Sequence, residues 1–242
     1  MKHIAVILSG GSGQRMGGTL PKQFIVVGGR TILEHSVEAF HRHADIDGIL
    51  IVSNPDYVER VRELAAQNRD RWTKLCGITV GGKERSDSSR NAIRFLEENG
   101  LVTADTCLLI HDAVRPLVSE RIISDVCRAL QHYGAVDVGI PATDTMIMTT
   151  PDGKCIAAMP DRSTLMRVQT PQGFRYDVIR RAYALAANDL QFHPTDDCGV
   201  VFRYMPDEPM AIVAGDVDNI KITYPQDLSF LENRLGNKKD TK

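Results

Sequence analysis

A mostly parallel α/β sheet flanked by helices is the fold this sequence predicts. Apolar runs of strand length alternate with amphipathic stretches of helix length, the first run passes directly into glycines, and no repeat or linker-like stretch breaks the order. Residues 4–8 form the first strand. Thr31 and Glu34 have capping-box spacing and open a helix whose apolar face runs through Ile32, Leu33, Val37 and Phe40. Residues 48–52 read as the second strand with a helix over 56–67, and residues 75–80 as the third, running into Gly81-Gly82 before a helix over 88–97. Leu108, Leu109 and Ile110 make a buried strand that ends at His111-Asp112; Ser119 begins a helix to about 132, and residues 135–140 are the fifth strand.

Between about 143 and 166 the helical period vanishes. Strand-like runs at 146–150 and 154–159 flank Pro151-Asp152-Gly153, a strong turn signal, so a β-hairpin arm is expected to project from the body. Helices at about 177–187 and 196–202, strands at about 211–213 and 219–223, and a last helix from Pro225 through Leu235 complete the chain. The expected organisation is one Rossmann-like domain over 1–236, with the arm at about 143–166 and a flexible tail at 237–242.

Composition narrows the function. The 242 residues are 43% hydrophobic and 25% charged, which excludes disorder. With 29 Lys and Arg against 31 Asp and Glu the net charge is −2, so no global basic field exists to hold a nucleic acid. The first apolar run is too short for a signal peptide or a membrane span, and the cytoplasm is the expected compartment. Cys76, Cys107, Cys127, Cys155 and Cys198 are odd in number and never paired as C-x-x-C, which points to reduced thiols rather than disulfides or zinc.

The segment after the first strand carries the chemistry. Ser9, Gly10, Gly11 and Gly13 stand at a strand's carboxyl end, where backbone N–H groups can approach an anion closely. A dinucleotide fingerprint fails at Met16, and a P-loop fails at Thr19. Arg15 and Lys22 then place two cations by the same turn, as a triphosphate requires.

These residues resemble a known family. Gly10-Gly11-x-Gly13-x-Arg15-Met16 and Pro21-Lys22-Gln23 look like the signature of nucleotidyltransferases that activate sugar phosphates. Gly81-Gly82 with Arg85 and Ser88, His111-Asp112-Ala-Val-Arg115-Pro116, Asp144-Thr145, Asp161-Arg162, Thr170-Pro-Gln-Gly-Phe174, Thr195-Asp196 and Asp218-Asn-Ile-Lys-Ile-Thr223 are similar to the cytidylyltransferases of 2-C-methyl-D-erythritol 4-phosphate and D-ribitol 5-phosphate. The likeness spans nearly the whole chain in order.

The resemblance implies an Mg²⁺-dependent transfer of CMP from CTP to a polyol phosphate. Arg15, Lys22 and Lys221 are the implied catalytic cations; Ser9, Gly10, Gly11, Gly13, Gly82, Ser88 and Asp112 the implied nucleotide contacts. Ser88 reads equally as the N-cap of its helix. Asp112 ends one strand and Asp218 begins another, so strands lying side by side would let both carboxylates bind one Mg²⁺. Arg115, Thr145, Arg162, Thr170 and Thr195 are the implied polyol phosphate contacts, with Thr145 and Arg162 reaching a second subunit through the arm of a homodimer. Leu8-Ser9-Gly10-Gly11 is nearer the ribitol type and Val168-Gln-Thr-Pro-Gln-Gly-Phe174 nearer the methylerythritol type, so the acceptor stays open between them, methylerythritol phosphate first. A non-catalytic nucleotide-binding module is disfavoured because Arg15, Lys22, Asp112, Asp218 and Lys221 are all present; an oxidoreductase is disfavoured by the failed dinucleotide fingerprint.

Overall fold

The computed structural model describes residues 1–11, 20–187, 189, 191–192 and 194–237. The expected tail beyond Asn237, and the implied Gly13 and Arg15, lie outside the described residues. Seven strands form the central sheet: β1 (Lys2–Ser9), β4 (Gly48–Ser53), β5 (Leu75–Val80), β6 (Thr106–Asp112), β7 (Ala135–Pro141), β10 (Met166–Arg175) and β11 (Met210–Ala214). Two short pairs, β2 (Val26–Val27) with β3 (Arg30–Thr31) and β8 (Met148–Thr149) with β9 (Ile156–Ala158), stand apart from it. The sheet order is β11-β7-β10-β6-β1-β4-β5. Only β10 runs antiparallel to its neighbours β6 and β7; the other pairings are parallel.

Strand alternation divides the core. Ala5 and Ile7 of β1, Ile49 and Ile51 of β4 and Leu109 of β6 face one side, against α1 (Ile32–Arg42), α2 (Val58–Gln67) and α4 (Glu120–Ala129). Ile4, Val6, Leu50, Val52, Leu108 and Ile110 face the other, against α3 (Arg85–Glu98), α5 (Tyr176–Ala186) and α6 (Asp197–Tyr204). Every strand of this central part is thus apolar on both faces, which is why it reads as a continuous run. Among the described residues no helix is long and apolar enough to cross a membrane.

The helix starts obey local chemistry. Thr31 Oγ1 accepts from Glu34 N–H at 3.2 Å while Glu34 Oε2 accepts from Thr31 N–H at 2.7 Å, the reciprocal cap expected from spacing. Ser119 caps α4, its Oγ accepting from Ile122 N–H at 3.4 Å.

Two expectations change. Residues 219–223 are not a strand: Ile222 N–H donates to Val114 O at 2.9 Å and Asn219 Nδ2 to Thr170 O at 2.9 Å, so the segment is tied down by loop contacts rather than a ladder. In its place β10 enters the sheet, carrying the buried polar residues Gln169, Thr170 and Gln172 and a cis Thr170–Pro171 bond. α7 (Pro225–Asn237) then packs Leu231 into a third apolar cluster with Val27, Ile32, Val114 and Ile222, which presses the 219–223 segment against the end of β6.

Candidate active site

The carboxyl ends of β1, β4, β5 and β6 open on one cavity of about 700 Å³, the edge where open α/β sheets bind ligands. Ser9, Gly10, Gly11, Lys22, Gly82, Ser88, Asp112 and Lys221 all line it. Eight residues chosen from sequence therefore share one space.

Glycine is required at the β5 end for close packing. A β-carbon on Gly81 would fall 2.6 Å from Ser88 Oγ, and one on Gly82 would fall 2.1 Å from Asp87 Cβ. Ser88 is not the N-cap of α3; Glu84 holds that place, and the Ser88 hydroxyl instead accepts from Gly82 N–H at 3.2 Å and donates to Glu84 O at 3.3 Å. Its side chain locks the Gly81–Gly82 turn.

Asp112 is the electrostatic centre. Lys221 Nζ lies 2.9 Å from Oδ2, Arg115 Nε 3.7 Å from Oδ2 and Arg85 Nε 3.5 Å from Oδ1. Burial alone would push this carboxyl up, but Lys221, Arg85 and Arg115 together hold it well below the usual carboxylate range. Arg85 is itself gripped by the fully buried Asp197, which also accepts from Tyr183 Oη at 2.6 Å. Lys22 Nζ donates to Ile222 O at 2.7 Å, one residue from Lys221. The cations outnumber the acids that face them here.

Thr170 occupies a different place from the one its implied role needs. Its hydroxyl is buried behind Asp112, accepting from Asp112 N–H at 3.1 Å and meeting His111 Nδ1 at 2.9 Å. His111 Nε2 lies 3.1 Å from Arg115 O, and burial pushes this imidazole down to about 4, so it is neutral. A carbonyl can only accept, so Nε2 carries the proton and Nδ1 accepts from Thr170. The chain Asp112–Thr170–His111–Arg115 ties the backbone N–H of Asp112 to the backbone carbonyl of Arg115.

Unlike Asp112, Asp218 is paired with the final helix. It sits in the turn after β11 with Oδ1 2.8 Å from Arg234 of α7, and it does not line the cavity. The two-carboxylate metal site expected from sequence rests on a strand beginning at Asp218, and residues 219–223 are not a strand, so that ground for pairing the two carboxylates is removed. Thr145, Arg162 and Thr195 are exposed and outside the cavity of their own chain, Arg162 Nη1 donating to Thr143 O at 2.9 Å. Sequence reasoning assigned no role to Gln23, Asn54, Arg85 and Asp197; Asn54 was findable, as the residue following β4 at the ligand-binding edge.

An edge that collects lysines and arginine around a glycine turn suits an anionic phosphate chain, and the class that fold and cavity define together is that of the nucleotidyltransferases. Comparison with known proteins narrows the class. The family model described as IspD, 2-C-methyl-D-erythritol 4-phosphate cytidylyltransferase, matches residues 3–237, and the chain belongs to that family. The protein of that name from Thermobifida fusca is 44% identical over 234 residues, 96% of this chain and 92% of its own. A bifunctional ribulose 5-phosphate reductase/CDP-ribitol pyrophosphorylase from Haemophilus influenzae is 40% identical over 97% of this chain, but over 48% of its own length. The crystal structure of 4-diphosphocytidyl-2C-methyl-D-erythritol synthase from Anaerococcus prevotii superposes with a TM-score of 0.81 at 26% identity, over 97% of this chain and 96% of that one.

Proposed function

We propose that this protein transfers the CMP unit of CTP to 2-C-methyl-D-erythritol 4-phosphate. A phosphate oxygen of the acceptor attacks the α-phosphorus of CTP, the bond from that phosphorus to the bridging oxygen breaks, and pyrophosphate leaves. The observation that carries the reading is the meeting of Lys22 and Lys221, from opposite ends of the chain, at the ionised Asp112 and the glycine turn. Both ammonium groups stabilise charge that grows on the phosphoryl oxygens, with Arg15 assigned the same task by the family resemblance. The cytosine rests on the first turn and Gly82, with Ser88 holding Gly82 in place.

The family implies Mg²⁺. A carboxylate kept ionised at the cavity wall, with substrate phosphates to complete the shell, is an ordinary magnesium donor set, so Asp112 fits the ion without Asp218. Bound there, the ion would neutralise phosphate charge.

The arm supports a homodimer. Met146, Ile147, Met148, Ile156 and Met159 are 44–66% exposed on it, an apolar surface that a second copy would cover. Its Arg162 and Thr145 then reach the acceptor phosphate of the partner, with Thr195 and Arg115 completing that pocket and Thr170 orienting it. Five free thiols accord with work in the cytoplasm.

D-ribitol 5-phosphate is the competing acceptor, the one for which the Haemophilus relative is named. Incubation with CTP, Mg²⁺ and methylerythritol phosphate tests the proposal: stoichiometric pyrophosphate and CDP-methylerythritol support it, and no CDP product with this acceptor rejects it.

A further inference from the structure

Three consecutive carbonyls of the glycine turn are taken by side-chain amides from elsewhere in the chain. Gln23 Nε2 donates to Ser9 O at 3.1 Å and to Gly11 O at 3.0 Å, using both of its hydrogens. Asn54 Nδ2 donates to Gly10 O at 3.3 Å. Neither amide can turn over without loss. Asn54 Oδ1 already accepts from Asp56 N–H at 2.9 Å, and Gln23, 1% exposed, faces two carbonyls that only an NH₂ group satisfies.

In a trans peptide the C=O and N–H point to opposite sides. Fixing the Ser9 and Gly10 carbonyls on Gln23 and Asn54 therefore fixes the Gly10 and Gly11 N–H groups on the reverse side of the turn. Among the described residues nothing accepts a hydrogen bond from either N–H, and both glycines line the cavity.

We propose that Gln23 and Asn54 are positioning residues that keep the turn's carbonyls engaged and its N–H groups presented, so that the turn shows the nucleobase donors only. The inference rests on the cytosine-binding reading above. Cytosine offers acceptors at O2 and N3, whereas uracil carries a proton at N3, which a donor repels. Loss of either amide lets the turn rotate a carbonyl toward the base, which admits uracil and weakens cytosine.

The test compares CTP with UTP in wild type, Gln23→Met and Asn54→Asp. Both nucleotides carry the same triphosphate, so their ratio is insensitive to the added charge of the second variant. The expected result is a fall of about tenfold or more in the CTP/UTP ratio of kcat/KM in both variants, with KM for methylerythritol phosphate unchanged. Folded variants that keep the wild-type ratio, or lose both nucleotides by one factor, overturn the proposal. Asn54 lies at the partly exposed end of β4, so Asn54→Asp carries the test if Gln23→Met does not fold. Calorimetric binding of CTP and UTP gives the same ratio without turnover: wild type that binds CTP yet forms no product rejects the acceptor reading alone, and wild type that binds neither rejects this inference too.

Discussion

Lys221 reaches Asp112 from the loop after β11, Nζ to Oδ2 at 2.9 Å, and both side chains line the cavity. The contact exists because α7 pins Ile222 against Val114, holding the loop to the end of β6. It also sets a pH limit. The folded Asp112 carboxyl lies below its unfolded value of about 4, so its share of stability is complete above that pH and lost as pH falls through the folded value.

Lys22→Ala should lower kcat about 10²–10³-fold while changing CTP affinity by less than tenfold, since the charge is needed most when the pentacoordinate phosphorus forms. Single-turnover rates and calorimetric CTP binding separate the two effects. A variant with wild-type kcat removes Lys22 from catalysis.

Gly82→Ala should weaken CTP binding about tenfold and lower Tm by several degrees, because the new methyl meets Asp87 Cβ at 2.1 Å and the Gly82–Ser88 bond must break. Gly236→Ala is the control, since nothing lies within 4 Å of a β-carbon there. Equal melting temperatures for the two variants would show that the β5 turn is not tightly packed.

Asp137→Asn should stabilise the protein above neutrality. Burial pushes the Asp137 carboxyl up to about 6, with the Asp196 carboxylate sharing the Gln172 amide adding to it. Between about pH 4 and pH 6 the fold holds a proton that the unfolded chain releases, so stability falls as pH rises through that window and stays reduced above it. Melting curves should show the variant ahead by about 1–2 kcal/mol at pH 7.5, discounted for partial exposure, and level with wild type near pH 4. A difference independent of pH contradicts the assignment.

Mixing Arg162→Ala subunits with Lys22→Ala subunits should restore activity if the arm serves its partner. Half of randomly mixed dimers are hybrids with one intact site, so about a quarter of the wild-type rate is expected. No recovery, in a mixture shown by mass to exchange subunits, would place Arg162 in its own subunit's site.

The parallel part of the fold was legible because β1, β4 and β6 are apolar on both faces and each precedes an amphipathic helix. β10 was not: Gln169, Thr170 and Gln172 are buried as polar residues, satisfied by Asn219, His111 and Asp137, and those partners come from distant sequence. Residues 219–223 misled in the opposite sense, apolar and alternating yet held by Val114 and Thr170. Within the site, Lys22, Asp112 and Lys221 stand out as charges in short motifs. Gln23 and Asp197 act only through contacts that folding creates, with Ser9, Gly11 and Arg85, and no spacing announces those contacts; Asn54, which holds Gly10, is marked only by its place after β4.

The most direct measurement offers the protein CTP, Mg²⁺ and equal amounts of methylerythritol phosphate and ribitol phosphate, and follows both diphosphate products by phosphorus NMR. CDP-methylerythritol should form first and in large excess, matched by pyrophosphate. Predominant CDP-ribitol, or CTP left intact beside both acceptors, would contradict the account.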